Sequence, residues 1–119
     1  MKLALGEEHW EAVRAELARW GGIVSSVLLT VEAVRACARY GPEYATQAEA
    51  GLGEVALLPI DSVVLARAAR LAPSALRSLD AIHLATALSL GADLGVLIAY
   101  DARLLDAATQ QGVTVAQPR

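Results

Sequence analysis

Three acidic side chains, Glu32, Asp80 and Asp101, stand where a parallel α/β sheet would present its ligand-binding edge. Asp101 directly follows the apolar run 96–100, and ligands of open α/β sheets bind beyond the carboxyl ends of the strands. Carboxylates that share one pocket repel each other unless a cation neutralises them. Oxygen ligands suit Mg²⁺ or Mn²⁺. Such an ion activates water and stabilises the charge that develops on a phosphodiester.

Each of these carboxylates also has a structural explanation. Asp101 is placed to be the N-cap of the next helix. Asp80 opens an apolar helix, where the helix dipole and free amides stabilise a carboxylate. Glu32 is spaced to pair with Arg35, an interaction worth about 0.3 kcal/mol. The residues alone leave these alternatives open, including an α/β domain whose aspartates only cap helices.

Other site chemistries find little support. No cysteine and histidine cluster has zinc-binding spacing, and no glycine-rich loop follows a strand in a phosphate-binding pattern. His9 and His83 occupy ordinary helical positions, and no serine lies on a nucleophile elbow.

The charge and composition of the chain limit which partners it can bind and indicate the compartment in which it folds. The net charge is −3, and nine of the ten positive residues are scattered arginines. Nucleic acid would therefore be held locally, by a metal and a few guanidinium groups, because no global basic field exists. The acidity also suits a basic protein partner. The lone Cys37 favours a reducing cytoplasm, and no apolar run predicts a signal peptide or a membrane span.

The 119 residues predict a single domain over 1–119 in which strands alternate with helices. This alternation predicts an α/β fold, a short parallel sheet with helices on both faces. Because the chain opens on a helix, a three-layer arrangement would be better balanced by one more strand before it. Helices are predicted over 7–20, 28–40, 42–52, 62–71, 78–90 and 102–111, and strands over 23–26, 55–60, 96–100 and 113–115.

Local signals mark several of these boundaries. Gly41-Pro42 breaks the chain between the second and third helices, and Asp61-Ser62 can cap the fourth helix. Either Ser78 or Asp80 opens the helix that ends at residue 90. The apolar stripe predicted for helix 28–40 consists of Val27, Val31, Val34 and Ala38.

Three segments of the chain resemble the PIN family of metal-dependent ribonucleases, in order and in setting. Residues 26–32, SVLLTVE, resemble the segment in which a serine ends a strand and a glutamate lies on the following helix. Residues 77–85, RSLDAIHLA, resemble the family's most recognisable motif, an aspartate that opens a buried helix. Residues 98–104, IAYDARL, resemble the strand-end aspartate motif. Within the family, these motifs resemble those of VapC-type toxins of toxin–antitoxin pairs.

The resemblance implies a three-layer α/β/α fold and a metal-dependent endoribonuclease. Glu32, Asp80 and Asp101 would form the catalytic set and hold one or two Mg²⁺ or Mn²⁺ ions. Ser26 would support the site, whereas Arg77 and Arg103 are weaker candidates for phosphate contact. The implied partners are RNA, a small antitoxin protein and a second copy of the chain, with no membrane and a cytoplasmic location.

One part of the family pattern is missing. Family members begin with a central strand that ends in an aspartate, whereas no aspartate occurs here before Asp61. Residues 1–7 resemble the stretch just after that strand and its turn. A start codon assigned too far downstream is the expected explanation. The alternative is a truncated, catalytically impaired domain that binds an antitoxin or itself.

Overall fold

The computed structural model describes residues 15–118. The described chain divides into two compact units, an N-terminal unit of residues 15–57 with Pro118 and a C-terminal unit, Leu58–Gln117. The single domain over 1–119 stays a prediction. Among the described residues, no helix combines the length and apolar character needed to cross a bilayer.

The N-terminal unit consists of β1 (Val24–Ser26), α1 (Leu28–Ala38), α2 (Pro42–Leu52) and most of β2 (Ala56–Leu58). Strands β1 and β2 pair as a two-stranded sheet, and α1 packs against α2. Gly41 joins the two helices at a φ of 143°, a conformation that residues with a Cβ atom rarely adopt. Pro42 then begins α2, where its missing N–H costs no helical hydrogen bond.

The C-terminal unit contains the aspartates predicted for the site. Its elements are α3 (Ser62–Arg70), α4 (Ser78–Leu88), the short 3-10 helix Gly91–Asp93, β3 (Leu97–Ile98), α5 (Ala102–Gln110) and β4 (Val115–Ala116). Strands β3 and β4 are parallel, with Leu97 opposite Val115 and Ile98 opposite Ala116.

Small apolar side chains form the core of the C-terminal unit. Leu84, Ala85, Ala107 and Ala108 are fully buried where α4 meets α5. Val64 and Ala68 bring α3 into the same cluster. Helix α4 therefore contributes to the core along its length, as the apolar sequence after Asp80 predicts.

The predicted α/β class is confirmed, with corrections to several elements. The predicted strand 96–100 is reduced to Leu97–Ile98, the strand 55–60 to Ala56–Leu58, and the last strand lies at Val115–Ala116. The helix predicted over 28–40 ends at Ala38. Residues 15–20 of the helix predicted over 7–20 fall within the described chain. Residues 15–17 are helical, whereas residues 18–20 form a turn and a bend, so this helix ends three residues before the predicted position.

Candidate active site

Asp101 is the N-cap of α5 and lies three residues beyond the last residue of β3. Its Oδ1 atom accepts hydrogen bonds from the backbone N–H groups of Arg103, at 2.8 Å, and Leu104, at 3.4 Å. These bonds satisfy two of the amides that a helix start leaves without a partner. The capping interpretation of Asp101 is therefore confirmed.

The second oxygen of Asp101 has a different partner. Oδ2 accepts a hydrogen bond from Nη2 of Arg77 at 2.8 Å. The Arg103 amide, the Leu104 amide and the Arg77 guanidinium together outweigh partial desolvation and lower the pKa of Asp101 below 3.8. The carboxylate is therefore ionised at neutral pH and carries a full negative charge at the start of α5.

Asp80 is the third residue of α4, and its carboxylate also contacts Arg77. Oδ2 of Asp80 lies 3.5 Å from Nε of Arg77, and the Asp80 side chain is only 19% exposed. The sequence left open whether Ser78 or Asp80 starts this helix; Ser78 does, and Arg77 is the N-cap residue without a side-chain capping bond. The explanation of Asp80 as the capping residue is therefore wrong, although its charge still favours the helix N-terminus.

One guanidinium thus joins two carboxylates that are far apart in sequence. We call this arrangement of Arg77, Asp80 and Asp101 the arginine bridge. The sequence assigned Arg77 only a weak role in phosphate contact. Its i,i+3 spacing from Asp80 was a usable signal, because such residues are neighbours on a helix surface. Its contact with Asp101 had no such signal, since it depends on how α4 and α5 pack.

Glu32 and Ser26 belong to the N-terminal unit. Glu32 is half-buried on α1. Ser26 ends β1 and is 1% exposed, and its Oγ accepts a hydrogen bond from the Leu28 amide at 3.3 Å. Across residues 15–118, no group of three or more histidine, cysteine, aspartate or glutamate side chains is arranged to hold a metal ion. That Glu32 joins Asp80 and Asp101 stays a prediction.

The donor chemistry of the arginine bridge suits a hard cation. Both contacts to Arg77 use carboxylate oxygens, the ligand type that Mg²⁺ and Mn²⁺ prefer. The guanidinium already provides a positive charge between the two carboxylates, as a bound cation would. By contrast, a cavity of about 210 Å³ between the ends of α4 and α5 is lined by Leu88, Gln111, several glycines and other uncharged residues. That cavity offers no carboxylate.

Comparisons with known proteins agree with the motifs. The PIN domain family profile matches residues 1–110. Ribonuclease VapC46 of Mycobacterium tuberculosis is 42% identical over 118 residues, which cover 99% of this chain and 91% of that protein. Ribonuclease VapC35 of the same species is 40% identical over 92% of this chain and 79% of its own length. Ribonuclease VapC47 of the same species is 35% identical over 98% of this chain and 90% of its own length.

No solved structure gives a significant match. The family profile covers most of the chain, and the relatives align over nearly all of it. The predicted resemblance is confirmed: the chain belongs to the PIN-domain family.

Proposed function

We propose that this protein is a metal-dependent endoribonuclease, the toxin of a toxin–antitoxin pair. The observation that carries the proposal is the convergence of Asp80 and Asp101 on a single cationic group. The names of the relatives, all ribonucleases of the VapC type, support RNA as the substrate class. Both aspartates lie in motifs that resemble those of the family.

Asp80 and Asp101 would hold the Mg²⁺ or Mn²⁺ ion, with Glu32 as the third predicted ligand. When bound, such an ion supplies an activated water and stabilises negative charge on the phosphodiester. The chain's own contribution is positioning. The amides of Arg103 and Leu104 fix the Asp101 carboxylate, and the first turn of α4 fixes Asp80 near it.

RNA would be held by local contacts. The net charge of −3 provides no general attraction for a polyanion, and aromatic residues make up only 4% of the chain, so base stacking is limited. Exposed arginines beside the site, Arg77 and Arg103, are the candidates for phosphate contact. A metal bound by the carboxylates would provide the remaining attraction.

The net negative charge also indicates which kind of protein partner the chain would bind. An acidic toxin suits a small antitoxin with basic segments, since opposite charge speeds association and favours the correct partner. Homodimer formation and a cytoplasmic location complete the proposal. A growth assay with and without the co-expressed antitoxin checks the toxin–antitoxin part of the proposal, and light scattering of the purified protein checks the dimer.

The test of the nuclease is RNA hydrolysis by the protein expressed from its full reading frame. We expect cleavage that requires Mg²⁺ or Mn²⁺, is abolished by a chelator and falls about 100-fold or more in Asp80→Asn, because the variant loses a charged ligand. Asp106→Asn is the matched control, since Asp106 is exposed on α5 and the substitution removes the same charge from the same unit. Divalent-dependent cleavage that survives Asp80→Asn unchanged would show that the assignment of Asp80 is wrong.

A further inference from the structure

The arginine bridge uses the carboxylate oxygens that a metal ion would need. In Asp101, Oδ1 is engaged with the amides of Arg103 and Leu104, so Oδ2 is the oxygen directed away from the helix cap. The Oδ2 atom of Asp101 accepts a hydrogen bond from Arg77, and Oδ2 of Asp80 contacts the same guanidinium. A divalent ion shared by the two aspartates would therefore meet Arg77 at both oxygens.

We propose that Arg77 is a resident cation of the metal-free protein, a positioning residue that holds Asp80 and Asp101 together and is displaced when a divalent ion binds. This inference rests on the proposed metal-dependent function. The guanidinium and the ion exclude each other because two cations on one carboxylate oxygen repel strongly at such short distances. Without Arg77, the two carboxylates would face each other without the charge that offsets their repulsion.

The exposure of Arg77 makes the displacement feasible. Its side chain is 67% exposed, and ion pairs at exposed positions contribute little to stability. Arg77 is also the N-cap residue of α4, so its backbone stays fixed while the side chain moves. An arginine on a long, solvated side chain leaves without disturbing the packing of α4, whose buried residues begin at Ala81.

Mn²⁺ titration calorimetry on three proteins tests this competition. We expect Arg77→Ala to bind Mn²⁺ about threefold to tenfold more tightly than the unchanged protein, because the ion no longer has to displace the exposed Arg77 side chain from the two carboxylates. Arg67→Ala is the matched control: Arg67 is exposed on α3 of the same unit, and its removal changes the net charge equally. The proposal would be overturned if Arg77→Ala bound Mn²⁺ no more tightly than Arg67→Ala does.

A second measurement follows Arg77 in the unchanged protein. During a Mg²⁺ titration, the NMR signal of the Arg77 Nε–H group should shift with the midpoint of metal binding, while the Arg67 signal stays in place. An Arg77 signal that is unchanged at saturating Mg²⁺ would contradict displacement. If Asp80→Asn abolishes metal binding and Arg77→Ala leaves it unaltered, the proposed role of Arg77 is wrong and the proposed metal site stands. A protein that binds no divalent ion would refute both proposals.

Discussion

Asp61 and Asp101 occupy the same local setting in the C-terminal unit and differ in what surrounds them. Each lies three residues after the end of a strand, and each is the N-cap of the following helix. Oδ1 of Asp61 accepts from the Val64 amide at 2.9 Å, as Oδ1 of Asp101 does from Arg103 at 2.8 Å. Only Asp101 is joined through Oδ2 to Arg77 and, through it, to Asp80.

This difference shows that capping and site chemistry are compatible roles. A carboxylate has two oxygens, and in Asp101 one of them satisfies the helix start while the other contacts a charged group. A capping bond is therefore no argument against a functional role. The distinguishing feature is the partner of the second oxygen, and that partner lies 24 residues away in sequence.

Loss of the cap at Asp61 is expected to have the largest effect on stability. Asp61→Ala removes the acceptor for the Val64 amide and should lower the free energy of unfolding by about 1 kcal/mol. Asp61→Asn should keep most of this free energy of unfolding, because an asparagine side chain caps a helix nearly as well. Urea unfolding measures both variants. Equal losses for alanine and asparagine would show that the charge of Asp61, and not its hydrogen bond, stabilises α3.

Protonation of Asp101 at low pH is expected to have a smaller effect on folding stability. The pKa of Asp101 is lower in the folded protein than its usual 3.8, chiefly because the Arg103 amide bonds to the carboxylate. The unfolded chain therefore takes up this proton first as the pH falls. The resulting stability is fully present above the unfolded pKa and is lost as the pH falls through the folded pKa.

The thermal midpoints of the protein and of Asp101→Asn measure this effect. Their difference should be constant from pH 7 down to about pH 5 and should shrink below about pH 4. The Asn variant provides the control, because it keeps a capping oxygen that does not titrate. A difference that stays the same down to about pH 2 would contradict the lowered pKa.

Local signals predicted much of the fold. Gly41-Pro42 separated α1 from α2, Asp61 marked the start of α3, and the apolar run before Asp101 located β3. These features depend on residues within a few positions of each other. The strands nevertheless proved shorter than their apolar runs, because hydrogen-bonded pairing with a neighbour, and not hydrophobicity, decides where a strand ends.

Features that depend on packing between distant residues were not predictable. The sequence suggested that Val27, Val31, Val34 and Ala38 form the apolar stripe of α1, yet Val31 is 57% exposed and Leu29 and Cys37 are buried. This helix is apolar on most sides, so its period does not specify the buried face. The motifs named Asp80 and Asp101, and the i,i+3 spacing of Arg77 and Asp80 was a local signal for the contact of these two. The contact of Arg77 with Asp101, by contrast, arises from the tertiary fold.

The most direct test compares RNA cleavage by Asp101→Asn and Asp61→Asn under saturating Mg²⁺. Both variants keep a capping oxygen, so any difference between them reports the second oxygen and its charge. We expect Asp101→Asn to lose about tenfold or more of the cleavage rate, since a ligand charge is removed, and Asp61→Asn to stay within about twofold. Equal rates in the two variants would contradict a role for Asp101 beyond its helix cap.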